Sequence, residues 1–179
     1  MRTFIPGYFK KKLVLDSTLT GNDSIIGFCF MYNMPEYKSA WMDYFAISKT
    51  YQDIGYGTLL FNNVISNIGG GEMSLFLELE IPPNDDKSSD ENKRIRFYER
   101  QGVKRLDIDY KLPIGSKATP MYIGFKPANS STIINKELLS AVINEIMENI
   151  HAEEKNMPFV RDEMLSGIES KTNINYFGF

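Results

Sequence analysis

Cysteine and histidine are almost missing from this chain: in 179 residues there is one of each, Cys29 and His151. A lone cysteine excludes an internal disulfide, and one Cys with one His cannot supply a zinc ligand set, so no metal is expected. A Ser-His-Asp triad would have to use His151, near the end of a polar-rich helix. Cys29 lies in the apolar run Ile25-Ile26-Gly27-Phe28-Cys29-Phe30-Met31 and reads as a small buried hydrophobe. No apolar run is long enough to span a membrane and no signal peptide opens the sequence, which gives a cytoplasmic expectation. Charge of one sign is also scarce: 20 basic against 23 acidic residues give a net charge of -3. Nucleic acid is therefore not expected as a partner. The run Lys10-Lys11-Lys12 reads as a solvated strand start.

What is present is a hydrophobic share of 42%, enough for the packed core of one domain, or one domain with an appendage. Residues 11–20 and 24–32 read as strands joined by the turn Gly21-Asn22-Asp23. The loop Asn33-Met34-Pro35-Glu36 leads to a strand over 41–47, and a helix over 56–67 ends at Gly69-Gly70-Gly71. In the strand over 74–81, Leu75, Leu77 and Leu79 take one face and Phe76, Glu78 and Glu80 the other. A polar loop over 82–89 precedes a helix capped by Ser89 or Asp90 and ended by Gly102. Strands are expected over 103–112 and 120–125. A helix over 135–153 carries the stripe Leu138, Leu139, Val142, Ile143, Ile146, Met147 and Ile150. The tail is ambiguous in type but keeps Phe159, Val160, Met164, Leu165, Ile168, Tyr176, Phe177 and Phe179, too apolar for simple disorder. The element order gives an α+β fold on a mostly antiparallel sheet.

The stretch Gln52-Asp53-Ile54-Gly55-Tyr56-Gly57-Thr58 organises this pattern. It stands where a strand becomes a helix. Glycine admits positive φ and close ligand approach, and the first amides of a helix point outward at the positive end of its dipole. Together these make a backbone cradle for phosphate. It is not a dinucleotide fingerprint, because Leu60 holds the third glycine position, nor a Walker loop, because no lysine follows the glycines.

Gln52-x-x-Gly55-x-Gly57 after Phe45-Ala46-Ile47 resembles the acetyl-CoA-binding motif of the GNAT superfamily of N-acetyltransferases. A second block, Phe97-Tyr98-Glu99-Arg100-Gln101-Gly102-Val103, is similar to that family's F-Y-E-x-x-G-F helix end, and the resemblance covers roughly residues 24–126. It implies a GNAT-like, mostly antiparallel, twisted mixed sheet flanked by helices. The N-terminal region would be reduced, lacking the usual first strand and two helices that wall the acceptor site. Residues 1–127 would form the core, and 128–179 a C-terminal helix and tail packed on the core or on a partner subunit. The chain would be an acetyl-CoA-dependent N-acetyltransferase acting on a primary amine, or else a non-catalytic acyl-CoA-binding sensor or interaction module of the same fold. A homodimer is expected, the C-terminal region closing the acceptor side.

The resemblance also carries site residues. Phe45, Ala46 and Ile47 would pair with the pantetheine arm, with the Ile47 amide as oxyanion donor. Gln52, Asp53, Ile54, Gly55, Tyr56, Gly57 and Thr58 would hold the pyrophosphate. An alkylamine with a pKa of about 10 must lose a proton before it attacks, and the departing thiolate benefits from an acid. Glu78, in Leu77-Glu78-Leu79, matches the glutamate of the alanine-acetylating branch implicated as base; Glu80, Asp43 or water are alternatives. Tyr98 would be the acid. Trp41 replaces the glutamate base of the histone-acetylating branch. Lys49, Asp53, Ile54 and Glu91 depart from residues common in the family, so a positive charge near the phosphates is lost; Arg94 would be a replacement.

Overall fold

The structure, a computed structural model, describes residues 8–14, 25–68, 72–84, 86–169 and 171–177. The expected turn at 21–23, the strand residues 15–20 and the glycines 69–71 lie outside the described residues. The chain forms two compact units, residues 1–73 and 74–179.

In the first unit, β1 (Tyr8–Val14), β2 (Ile25–Met34) and β3 (Ser39–Ile47) pair antiparallel in that order, followed by α1 (Tyr56–Asn67). β2 and β3 are dense in β-branched and aromatic residues, which suit a pleated, half-buried surface. A 3-10 turn, Pro35–Tyr37, reverses the chain between them. It closes with Lys38 in the left-handed region, the Lys38 amide donating to Pro35 O at 3.0 Å. Ile26, Cys29, Met31, Ala40, Trp41 and Met42 are buried, as are Leu60, Phe61 and Val64 of α1. Phe61 meets Phe45 edge-on, with 6.2 Å between ring centroids. The β2–β3 register shifts between Phe30 and Met31, which face Tyr44 and Met42, so Asp43 is the extra residue of a bulge.

The second unit begins with β4 (Ser74–Glu80) and α2 (Asp90–Arg100). β5 (Lys104–Leu106), β6 (Tyr110–Ile114), β7 (Lys117–Lys126) and β8 (Ile133–Asn135) follow. α3 (Lys136–Asn149), α4 (Met157–Gly167) and β9 (Lys171–Asn175) complete it. Its strand order is β4-β7-β5-β9-β8, with β6 also on β7, and every pairing is antiparallel. The single strand expected over 103–112 is two strands. β5 pairs with the end of β7 and turns to β9, the Asp107 amide donating to Asn173 O at 3.1 Å, whereas β6 stays with the start of β7. No alternation in the sequence marks that parting.

α3 starts where Asn135 Oδ1 accepts the Leu138 amide at 2.9 Å, and it ends earlier than expected, with Ile150 as its cap. Leu139, Val142, Ile143, Ile146 and Met147 are all buried. Each such side chain contributes about 1.5–3 kcal/mol relative to exposure, which offsets the entropy of ordering the helix. The ambiguous tail supplies α4 and β9. Phe177 is buried with its ring 5.8 Å from that of Tyr122, and its amide donates to Glu99 at 3.2 Å.

Gly27 faces Ile47 at the exit of β3. A Cβ on Gly27 would stand 2.6 Å from Ala46 O and would also strike Ile47 Cδ1. Backbone cannot yield as a flexible side-chain tip can. Gly27→Val should therefore destabilise the protein by about 1–3 kcal/mol, seen as a lower urea midpoint with an unchanged slope.

Candidate active site

The residues expected to bind the acyl donor fall in the first unit. After Ile47 the chain makes a 3-10 turn, Lys49–Tyr51, with the Ser48 amide tied to Ile26 O at 2.6 Å. The Gln52 side chain folds back and donates through Nε2 to Ile47 O at 2.9 Å, so it closes the loop on the strand it follows. Asp53 takes φ 61 and Gly55 φ 94. Asp tolerates the left-handed region, whereas the turn at Gly55 suits glycine. The Cβ position of Gly55 has no atom within 4 Å, so the space before the turn is open. The first helical hydrogen bond runs from the Leu59 amide to Gly55 O at 3.0 Å. The backbone of residues 53–58 thus presents the N-terminal end of α1 to that opening, as an anion needs. Ile54 is 66% exposed, and no lysine or arginine stands within 53–58.

The acid–base candidates fall in the second unit. Glu78 on β4 pairs with Ile123 on β7, and Tyr110 on β6 pairs with Met121 two residues along β7. Side chains two apart share a sheet face, so Tyr110 reaches diagonally across β7. Its hydroxyl donates to Glu78 Oε1. His151, just past the end of α3, brings Nε2 to 3.3 Å from the same oxygen. The side chains of Glu78 and His151 are 15% and 13% exposed, and Tyr110 is fully buried. Burial, and then the negative charge of Glu78 and the hydrogen bond to it, hold the Tyr110 hydroxyl well above its ordinary value near 10. At neutral pH Tyr110 keeps its proton and donates it in a hydrogen bond to Glu78.

Tyr98 lies on α2, buried, its ring 5.1 Å from that of Phe97. The helix end behind it is locked: the Val103 amide donates to Tyr98 O at 3.0 Å and the Gly102 amide to Glu99 O at 2.9 Å, with Gly102 at φ 81. This is a Schellman termination, and it fixes the turn that carries Tyr98. At the other end Ser89 caps α2 by accepting the Asn92 amide at 3.2 Å. Asn92, itself buried, donates to Asn84 O and Asp86 O and so pins the polar loop.

A model of the GNAT acetyltransferase family matches residues 13–103, just over half of the chain. The chain belongs to the GNAT acetyltransferase family. Among solved structures, one described as a GNAT-family acetyltransferase from Bacteroides thetaiotaomicron aligns at 19% identity and TM-score 0.55, over 92% of this chain and 76% of that one. A nourseothricin acetyltransferase aligns at 16% identity and TM-score 0.51, over 69% and 67%. A ribosomal-protein alanine N-acetyltransferase from Escherichia coli aligns at 17% identity and TM-score 0.49, over 70% and 72%. No curated protein sequence matches. At these identities the first two establish the fold alone, which is α+β and GNAT-like.

For a GNAT chain, the placement of the remaining candidates is informative. Glu80, the alternative base, is exposed and forms an ion pair with Arg94. That pairing also places Arg94 on a carboxylate of its own unit. Cys29 is fully buried, and burial followed by the charge of Asp43 pushes its thiol up to about 12, so it holds no thiolate to act as a nucleophile. Among the described residues no group of three or more His, Cys, Asp or Glu is placed to hold a metal, and no helix is long and apolar enough to cross a membrane. Sequence reasoning missed Tyr110 and His151 as partners of Glu78. Only the register of β4, β7 and β6 unites the first pair, and the histidine arrives from a segment outside the family match.

The buried hydroxyl makes a stability prediction with a definite sign. Tyr110 ionises at higher pH when folded than when unfolded, so above about pH 10 the unfolded chain loses that proton first and stability falls as pH rises. Tyr110→Phe should lose about 1–3 kcal/mol at pH 7, since a mostly buried carboxylate oxygen forfeits its donor. The variant should also show a shallower decline between pH 9 and about 11 than the parent. Urea denaturation at several pH values measures both.

Proposed function

We propose that this GNAT protein is an acetyl-CoA-dependent N-acetyltransferase that moves the acetyl group directly from the thioester to a primary amine. The observation that carries this reading is the open turn at Gly55, φ 94, at the head of α1, in the Gln52–Gly57 motif. It is a surface that a pyrophosphate fits and that a larger side chain would strain. Residues 53–58 would take the phosphates, and the edge of Phe45, Ala46 and Ile47 the pantetheine amides, as an added strand does. The amide of Ile47 would donate to the carbonyl oxygen as negative charge develops there.

Glu78 is the proposed base. Ionised, it accepts the proton that the ammonium must lose, and Tyr110 holds it in place from one side. Tyr98 is the proposed acid for the departing thiolate. The carbon–sulfur bond breaks as the carbon–nitrogen bond forms, giving the amide, free CoA thiol and one proton. No acyl-enzyme is involved, because the chain's one cysteine is buried with its thiol pushed up to about 12.

Thiol release from acetyl-CoA in the presence of a panel of amines tests the reading. Gly57→Glu, which puts a negative side chain in the cradle, should abolish calorimetric binding of acetyl-CoA. Tyr98→Phe and Glu78→Gln should each lower kcat by about 10²–10⁴ with little change in acetyl-CoA affinity. Acetyl-CoA binding with no thiol release on any amine would instead mark a non-catalytic acyl-CoA sensor.

We also propose that the protein works as a homodimer. Exposed Phe159 and Tyr176, at 74% and 73%, lie in the C-terminal part of the second unit, where β8 ends the strand order with Ile133 also exposed. Exposed apolar side chains and an unpaired strand edge each favour a second copy. Light scattering should give twice the chain mass; a single-chain mass across a wide concentration range would refute the dimer.

A further inference from the structure

Glu78, Tyr110 and His151 meet at one oxygen, and the three come from distant parts of the second unit. The tyrosine fills one lone pair of Oε1 with a hydrogen bond. The imidazole Nε2 stands 3.3 Å from the same atom, itself out of contact with solvent and without a hydrogen bond among the described residues. It is therefore close enough to act on the carboxylate by charge, yet it is not the group that fixes its direction. His151 is itself held. Its amide donates to Ile146 O at 3.2 Å, and its carbonyl accepts the Glu154 amide at 3.0 Å. The following segment is tied to the β6–β7 hairpin twice, by the Gly115 amide on Glu154 Oε2 at 2.6 Å and by Asn156 Nδ2 on Lys117 O at 2.6 Å. A loop anchored on both sides to hold an unbonded imidazole against one carboxylate is a costly arrangement for a residue without a task.

We propose that His151 is a positioning residue for acetyl transfer, keeping the Glu78 carboxylate ionised and ready to accept the proton of the incoming ammonium. This rests on the reading of Glu78 as the base. A cation within about 4–6 Å favours the charged form of a carboxylate, and histidine is the side chain that can carry or release that charge near neutral pH. Among the described residues, the ionisable groups that meet His151 are Glu78 from β4 and, at the same oxygen, Tyr110 from β6. Glu154, three residues on, is taken up by Gly115. Tyr110 stays neutral through this range, so it adds no charge of its own at that oxygen.

The chain has one histidine, so its imidazole C–H resonances are assigned without ambiguity. Followed by NMR from pH 4.5 to about 8.5, those resonances should respond differently to pH in Glu78→Gln than in the parent, because the partner charge is gone. An identical titration in both proteins would overturn the coupling whether or not the enzyme turns over. The kinetic arm uses acetyl-CoA and the amine with the fastest thiol release. His151→Phe should lower kcat about tenfold, leave the KM for acetyl-CoA unchanged and move the acidic limb of the pH–rate profile upward. His151→Gln, which keeps an N–H at that point but cannot titrate, should recover part of kcat without restoring the limb. In a Glu78→Gln background neither substitution should have a further effect. Parental kcat and pH profile in both histidine variants would overturn the proposal while leaving Glu78 as base. If no amine releases thiol, the enzymatic reading fails and the proposal falls with it, a result distinct from a flat titration.

Discussion

Strand β7 is the constraint on which the second unit depends. β4 lies on one side of it, and β5 and β6 follow one another along the other. Because side chains alternate along a strand, this single register decides which residues share a face. It is why Glu78 and Tyr110, 32 positions apart, share a hydrogen bond. A slip of one residue between β7 and either neighbour would send one of the two side chains to the opposite face. The close packing of Gly124, whose Cβ position lies 2.9 Å from Val103 Cγ1 and 3.1 Å from Leu77 Cγ, leaves little freedom for such a slip.

The two halves of the acetyltransferase chemistry are built by different means. The proposed donor site is backbone: the positive φ of Gly55, the Gln52 amide folded onto Ile47 O, and the first turn of α1. Backbone sites are sparing of side-chain chemistry, which suits a segment whose positions 53 and 54 are Asp and Ile rather than a basic pair. The proposed acid and base are side chains held by other side chains and by helix caps. Tyr110 stands behind Glu78, and the Schellman turn at Gly102 stands behind Tyr98.

Local chemistry was legible in the sequence where a single element carried it. Gly55 and Gly57 between a strand and an amphipathic stripe marked the turn, Ser89 or Asp90 marked a cap that the structure places at Ser89, and Gly102 marked a helix end. The stripe from Leu139 to Met147 marked α3 as a buried helix. What could not be read was set by pairing between distant segments. The parting of β5 from β6 depends on β9, near the end of the chain, capturing β5. Phe76 shares the face of Glu78, yet it is fully buried because Phe125 stacks against it with 4.7 Å between centroids. His151 stood out only by being alone; nothing near it in the sequence pointed to Glu78.

The dependence of β4 on β7 also bears on how the protein is made. A ribosome delivers β4 first, then the whole of α2, β5 and β6, and only then β7. Until β7 emerges, the apolar strand with Leu75, Phe76, Leu77 and Leu79 waits without the partner that covers one of its edges in the second unit. β9, which completes that unit's pairing of β5, comes last. Exposed strand edges in a nascent chain recruit other chains. The yield of folded protein is therefore governed by how this interval compares with the time to aggregate. Slow translation at low temperature and a supply of holdase chaperones act on that interval without touching the finished molecule.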